Sequence, residues 1–599
     1  MRSSRNGCST CGILKTIITG LYEVKDASTL AFSFNDAFFE LWNIGGSRLG
    51  GIELHRAADT PCPWGLIWQE DHSPESTASQ ASLSWAKNQL RTCLAEHSGC
   101  GAATEDPLLP TRVLDVGASD SKTVKVLETN GLRGKYLTLS HCWGNPALMT
   151  TKFTVHNWGE YLEAIPCKTL PRTFRDAVTV TRNLNLRYLW IDSLCILQQD
   201  DEEDTLRDKQ MCQEDWEYES ERMCSVYQNS YLTLAGLSSI DCTGGLFSKR
   251  RTRVRVEGDS DKGPYCFDGC KEVEHSAVAF PLLRRGWVMQ ETLLSPRTLF
   301  YGQDELLWQC RWHMNCQCGV YEGDRSLSPG FHKLPLAEDA EIKFTRPKRI
   351  STWYDIISHY SRSSLTHATD KLVAIDGIAE YMRTLRNSEY LAGLWAESLA
   401  FDLLWQSYAV NDRIANRTIS TDPIAKTQWS SDKWLFPTWS WASIEGEIDW
   451  KWTSDFMGDY TPEIVLIQHI TDKTIPANEL RLRGVLVPST LGTVQKALNT
   501  KELYYPDLED QETMFGINKT VECLRVVQSG KDYFSLVLVC VDEEKRKYER
   551  LGLLTLIDSG HPYWKCRQFP DKETEVEVPP RWWAASEDWE EEEVELTLV

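Results

Sequence analysis

The run "RYLWID", Arg187–Asp192, is apolar on every residue from Tyr188 to Ile191, and an extended segment without polar alternation must be covered on both faces. Just before it, "LPRTFRDAVTVTRNL" sets Pro171 at a first helical position and repeats Phe174, Ala177, Val178, Thr181 and Leu184 on one helical face. The short strand "YLTLS" precedes that helix and ends at Ser140. Strand, helix and buried strand in this order predict a parallel crossover. "YLTLAGL" from Tyr231 reads as a third strand. "RRGWVMQETLLSPRTLFYGQDELLWQC" reads as a helix ending near Pro296, a strand, a turn over Gly302–Asp304 and another strand. These pieces predict an α/β domain with a parallel sheet over roughly 180 residues.

The connections are less regular. "QQDDEEDTLRDKQMCQED" is too acidic to predict packing, whereas "WEYESERMCSVYQNS" puts Trp216, Met223, Val226 and Tyr227 on one helical face. Residues from about 245 to 280, rich in Gly, Asp and Arg, read as an insertion. The chain of 599 residues is too long for one core. The expected division is a mixed region over 1–125, the α/β domain over 126–320, a helical region over 321–430 and a β-rich region over 431–585. The final stretch, "SEDWEEEEVELTLV" over 586–599, reads as a solvated acidic tail.

Lys and Arg number 64 against 86 Asp and Glu, a net charge of -22, which disfavours nucleic acid and anionic membrane as general partners. No apolar run approaches the ~20 residues needed to span a bilayer. The 19 cysteines are scattered and follow no signal peptide, so reduced thiols and a cytoplasmic location are expected. "CRWHMNCQC" crowds Cys310, His313, Cys316 and Cys318 together, but the one-residue gap between Cys316 and Cys318 is tight for a tetrahedral site and no clean second C-x-x-C is near. Even with the distant Cys8 and Cys11, structural thiols are the expectation and no metal is assigned.

Ligands of parallel α/β sheets bind beyond the carboxyl ends of the strands. Ser140, His141, Cys142 and Trp143 follow the first strand; Asp192, Ser193 and Cys195 follow the second. Each also has a plain alternative: a loop hydrogen bond for His141, inert core thiols for Cys142 and Cys195, a plug for Trp143. Trp287 and Glu291 stand at i and i+4 on the later helix, flanked by Arg285 and Arg297. A carboxylate beside an aromatic wall would polarise a ribose hydroxyl or a developing sugar cation; otherwise it is one face of an ordinary amphipathic helix. The phosphate-loop, dinucleotide, zinc-protease and hydrolase signatures are missing.

Three blocks, "YLTLSHCWG", "LPRTFRDAVTVTRNLNLRYLWIDSLCILQQD" and "RRGWVMQETLLSPRTLFY", resemble in that order the signature of the fungal heterokaryon incompatibility (HET) domain. Further likeness, including "ERMCSVYQNSYLTLAG" and "FPTWSWASIEGEIDW", extends it over about residues 130 to 450. The family more often has Tyr where this chain has His141, and an acidic stretch after Gln198 lengthens one loop. The resemblance implies self/non-self recognition and programmed cell death, through self-assembly or a protein partner. HET domains are in turn similar to TIR domains of innate immunity, which are flavodoxin-like and in some cases cleave NAD using a glutamate in W-x-x-x-E. Trp287 to Glu291 has that spacing. The likeness implies Glu291 as the catalytic carboxylate and NAD as substrate. Chemistry then suggests Trp143 or Trp287 for stacking, Arg285 or Arg297 for phosphate and Asp192 for ribose, with Ser140, His141 and Cys195 lining the site. The rival expectation is a signalling module in which these residues only hold the fold.

Overall fold

The structure is a computed structural model that describes residues 9–22, 30–35, 38–43, 48–56, 74–100, 106–145, 149, 151–200, 203–249, 254–260, 263–271, 280–318, 333–335, 345–407, 435–450, 461–471, 478–491, 494, 502–507, 511, 518–529, 532–556 and 593–599. The chain divides into two compact units, Met1–Leu336 and Ala337–Val599. Among the described residues no helix is long and apolar enough to cross a membrane.

The first unit begins with helix α1 (Ser9–Leu21), strands β1 (Leu30–Asn35), β2 (Phe38–Asn43) and β3 (Arg48–Arg56), helix α2 (Gln80–Glu96) and strands β4 (Arg112–Asp115), β5 (Thr123–Glu128) and β6 (Tyr136–Ser140). There follow α3 (Trp158–Glu163), β7 (Ile165–Pro166), α4 (Arg172–Asn183), β8 (Tyr188–Trp190), α5 (Asp192–Cys195), α6 (Leu206–Ser220), α7 (Met223–Gln228) and β9 (Leu232–Gly236). It continues with β10 (Val254–Ser260), β11 (Gly263–Lys271), α8 (Gly286–Leu294), β12 (Arg297–Tyr301), β13 (Leu306–Cys310) and β14 (Met314–Cys316).

Nine of these strands form one sheet in the order β14-β13-β12-β9-β6-β8-β4-β5-β7. The crossover predicted from β6, α4 and β8 is present: β6 pairs in parallel with β8 and with β9, and β9 with β12. The expectation of a parallel sheet needs correction at both flanks, where β13, β14, β4, β5 and β7 run antiparallel. Two of these, β4 and β5, start before residue 126, so the sheet reaches back into the region expected to be separate. The presumed insertion is also structural, since β10 and β11 join β1, β2 and β3 in a second, five-stranded sheet.

Alternation along β6 divides its side chains between two cores. Leu137 and Leu139 pack with Leu189, Ile191 and the α4 face of Phe174, Ala177 and Val178. Tyr136 faces the other way, with Trp190, Tyr227 and Trp287. Each large apolar side chain so buried contributes about 1.5–3 kcal/mol. On the same side Thr138 and Thr233, opposite one another in the ladder, share a hydrogen bond of 2.7 Å, and Thr233 shares another of 2.6 Å with Ser295 below α8. The acidic stretch expected not to pack is largely helical: Thr205 and Asp208 form a capping box that starts α6, which buries Cys212 and Glu219.

The second unit opens with helices α9 (Arg346–Tyr360) and α10 (Asp370–Arg386), then the ladder of β15 (Tyr390–Leu391) with β16 (Leu394–Trp395) and helix α11 (Leu399–Asp402). Strand β17 (Gln406–Ser407) pairs with β18 (Ile448–Asp449). An eight-stranded sheet follows from β19 (Thr461–Pro462), β20 (Val465–Thr471), β21 (Asn478–Thr490), β22 (Glu502–Pro506), β23 (Thr520–Ser529), β24 (Asp532–Asp542), β25 (Lys547–Leu556) and β26 (Glu593–Leu598). Its pairings return on themselves through β21, β23, β24, β25 and β26, a closed ring that leaves no free edge among those five. The acidic C-terminal tail expected from its charge is thus corrected in part. Glu593–Leu598 is a strand seated between β21 and β25 with Leu596 and Leu598 buried, while residues 586–592 lie outside the described residues.

Of the chain's 24 tryptophans, Trp353, Trp395, Trp405, Trp439 and Trp441 are fully buried in this unit. At its centre lies the wholly buried Arg550. Its guanidinium pairs with Asp507 at 3.0 Å, donates to the carbonyls of Leu403 and Trp405 at 2.7 and 2.6 Å, and sits 3.4 Å over the Trp405 ring.

Candidate functional site at the strand ends

Because β12, β9, β6 and β8 are parallel, their carboxyl ends share one edge of the sheet. Helix α8 feeds β12 from the opposite direction, which brings its first residues back to that edge. Arg285, the N-cap of α8, donates from its guanidinium to the carbonyl of His141 just beyond β6. One turn into the helix, Glu291 turns toward the Ser140 and Tyr227 hydroxyls.

Glu291 is only 5% exposed. Burial lifts its carboxyl to about 7, against the opposing pull of the Arg285 guanidinium and of the Ser140 and Tyr227 hydroxyls; the nearby Asp192 charge adds to the rise. Its Oε2 has no hydrogen-bond partner among the described residues, and neither does the buried Ser140 Oγ at normal hydrogen-bond geometry. Native interiors leave few such atoms, and those they leave concentrate where a ligand or reaction supplies the missing partner.

Asp192 ties the two strand-end loops together. One carboxylate oxygen accepts from Trp143 Nε1 at 2.7 Å and the other from the Ser193 amide at 2.7 Å. The turn after Trp143 depends on Gly144, whose φ is +76° and where an added Cβ would stand 2.2 Å from Asp241 Cβ. Gly131 has a similar φ of +82° but open space around it. Gly144→Ala is therefore expected to lower the first unit's stability by about 1–3 kcal/mol more than Gly131→Ala does, read as melting temperature. Equal losses at the two positions would show that the loop moves freely away from Asp241.

Of the candidate residues, the structure thus brings together Glu291, Ser140, Arg285, Asp192 and Trp143, and adds Tyr227, which the sequence pattern marked only as part of a helical core face. The other four are seated elsewhere. His141 continues the Leu137 and Leu139 side of the strand and meets Phe174 of α4 edge-on at 5.1 Å. Burial depresses its imidazole to about 4, with Asp192 pulling the other way, and neither ring nitrogen has a hydrogen-bond partner among the described residues. Cys195 is a core thiol that burial pushes up to about 12. Trp287 packs edge-on against Trp216, 6.4 Å away. Arg297 points from β12 to Cys93 Sγ at 3.2 Å and the Cys100 carbonyl at 3.0 Å. Alternation explains the parting of neighbours such as Ser140 and His141; nothing local in sequence marked where Arg297 would reach.

Cys142, next to the cluster, is packed with Val288 and Ala235, and burial raises its thiol. An open cleft of about 680 Å³ lies apart, lined by residues that include Thr111, Arg112, Glu219 and Arg222. Of its two arginines, Arg112 is engaged by Asp215 at 2.6 Å, and none of Glu291, Ser140, Arg285, Asp192, Trp143 and Tyr227 lines it.

A family model described as Heterokaryon incompatibility protein (HET) matches residues 136–291, from the first residue of β6 to Glu291 itself. No curated protein and no solved structure matches the chain.

Proposed function

We propose, from the premise that residues 136–291 are a heterokaryon incompatibility (HET) domain, that this chain is a cytoplasmic protein of fungal self/non-self recognition. Its HET domain serves as a cell-death effector or signalling module, acting through self-assembly or a protein partner. The observation that carries this reading is the family match, whose limits enclose the first two sequence blocks and the third as far as Glu291, all folding to one edge of one sheet.

A second reading, cleavage of NAD in the manner of TIR domains, is favoured by Glu291. Four central parallel strands support a flavodoxin-like or TIR-like core, and a buried carboxyl titrating near neutrality with an unpartnered oxygen is typical of catalytic carboxyls. In this reading the C1′–N bond of the nicotinamide riboside breaks and its electron pair goes to the ring nitrogen, which loses its positive charge. Ionised Glu291 stabilises the sugar cation, and water adds at C1′ with loss of a proton. Trp143 remains the stacking residue, since Trp287 is held against Trp216. Substrate entry then requires Trp143 to part from Asp192.

The deciding experiment is nicotinamide release from NAD by the purified chain, concentrated to permit assembly, beside Glu291→Gln and paired with expression in fungal cells. Release that rises with pH through about 7 and disappears in the folded variant assigns NAD cleavage. Toxicity without release, equal in both forms, leaves the signalling module. A chain with neither property sinks both readings.

A further inference from the structure

We infer that Cys93, His97, Cys100 and Cys310 bind one zinc ion that fastens the end of α2 to the end of β13. All four are buried, and their ligand atoms lie within 4.8 Å of one another. None of the four falls within residues 136–291, so the site is a property of this chain's flanking segments.

The local structure explains how three ligands come from eight residues. Cys93 lies in the last turn of α2, His97 is the residue that caps it, and Cys100 ends the 3-10 turn Ser98–Cys100. The bonds from His97 N to Cys93 O at 3.2 Å and from Cys100 N to His97 O at 3.0 Å fold this C-x3-H-x2-C segment onto one point. Cys310 arrives from 213 positions away. It is the last residue of β13, and its turn to His313 places the His313 amide 3.5 Å from Cys310 Sγ.

The spacing suits a tetrahedral ion. Zinc with Zn–S near 2.3 Å and Zn–N near 2.05 Å requires S···N edges of about 3.5 Å and S···S edges of about 3.8 Å. His97 Nδ1 and Cys310 Sγ stand 3.5 Å apart, and no separation among the four ligand atoms exceeds 4.8 Å. Three thiolates and one imidazole select zinc over the hard cations that prefer oxygen. Such a set with Zn²⁺ carries one net negative charge, which the buried Arg297 offsets through its Nε beside Cys93 Sγ. The His313 amide at Cys310 supplies the outer hydrogen bond that thiolate ligands usually receive.

This also resolves the crowded "CRWHMNCQC" segment. Only Cys310 turns into the site. His313 lies edge-on to the His97 ring at 4.7 Å, and Cys316 and Cys318 go to Glu305, whose carboxylate accepts from the Cys318 amide at 2.6 Å. The side chains of Cys8 and Cys11 lie outside the described residues.

Elemental analysis of the purified full chain, grown with added zinc, should find about one zinc per chain, with X-ray absorption reading three sulfurs and one nitrogen. Cys310→Ser and His97→Ala should lose it; His97→Cys, which restores a fourth ligand, and Cys316→Ser should keep it. Chelation should lower the melting temperature by at least about 5 °C. A zinc-free chain whose melting is indifferent to zinc and chelator overturns the inference. So does full zinc retention in both ligand-deleting variants. Should those variants fail to fold, the metal content and ligand count of the unsubstituted chain still decide.

Discussion

Glu291→Gln is expected to stabilise the nine-stranded sheet at pH 8 by about 3 kcal/mol relative to the unsubstituted chain, while removing any chemistry that needs the carboxylate. The folded carboxyl titrates near 7 and the ordinary value is 4.5; a difference of about 2.5 units at 1.36 kcal/mol each gives the figure. The sign follows from which form the fold prefers. A carboxyl raised in the folded state holds its proton more tightly there, so its contribution is complete below pH 4.5 and is lost as pH rises through 7. Glutamine, neutral throughout, does not lose it.

His141 works in the opposite sense. Its folded value near 4 lies below the ordinary 6.5, so its contribution is present above pH 6.5 and lost as pH falls through 4. Between about 4.5 and 6.5 the two slopes oppose and nearly cancel. In Glu291→Gln the histidine slope stands alone, and stability should climb by up to about 1.4 kcal/mol per pH unit across that window. Hydrogen exchange of the Tyr136–Ser140 amides at several pH values reads this without interference from the second unit. A variant with the same pH profile as the parent would show that Glu291 is ionised and well solvated in the fold.

The second large effect is Asp507→Ala, for which a loss of about 3–5 kcal/mol in the second unit is expected. Arg550 and Asp507 are both buried, at 0% and 1% side-chain exposure. Removing the carboxylate leaves the buried guanidinium with its charge uncompensated by Asp507, among the Leu403 and Trp405 carbonyls and the Trp405 ring. Exchange of the β24 amides measures the loss. A change below about 1 kcal/mol would mean that the carbonyls and the ring suffice to hold the cation.

Where function is concerned, the sequence was legible wherever its signal was local. The period of Phe174, Ala177, Val178 and Thr181 located α4 and its buried face, and the unbroken apolar run ending at Ile191 located a central strand. Proximity along the chain also identified the strand-end segments, yet it could not say that Ser140 would face Glu291 while His141 faced Phe174, because the pleat sends adjacent residues to opposite sides. Features made by distant segments were out of reach. The pairing of β11 with β3 joins segments about two hundred residues apart, and Cys310 meets Cys93, His97 and Cys100 across a comparable distance. In "EVELTLV" a readable alternation was present, with Leu596 and Leu598 inward, but the preceding acidic run masked it.

The place of β26 has a bearing on how the second unit is made. Every other strand of the closed ring leaves the ribosome before it, including β21 and β25, between which it must fit. Until Glu593–Leu598 emerges, those two neighbours present unpaired backbone and exposed apolar faces. The ring therefore cannot close as it is synthesised, and the nascent unit spends that interval open to chaperones or to strand exchange with another copy.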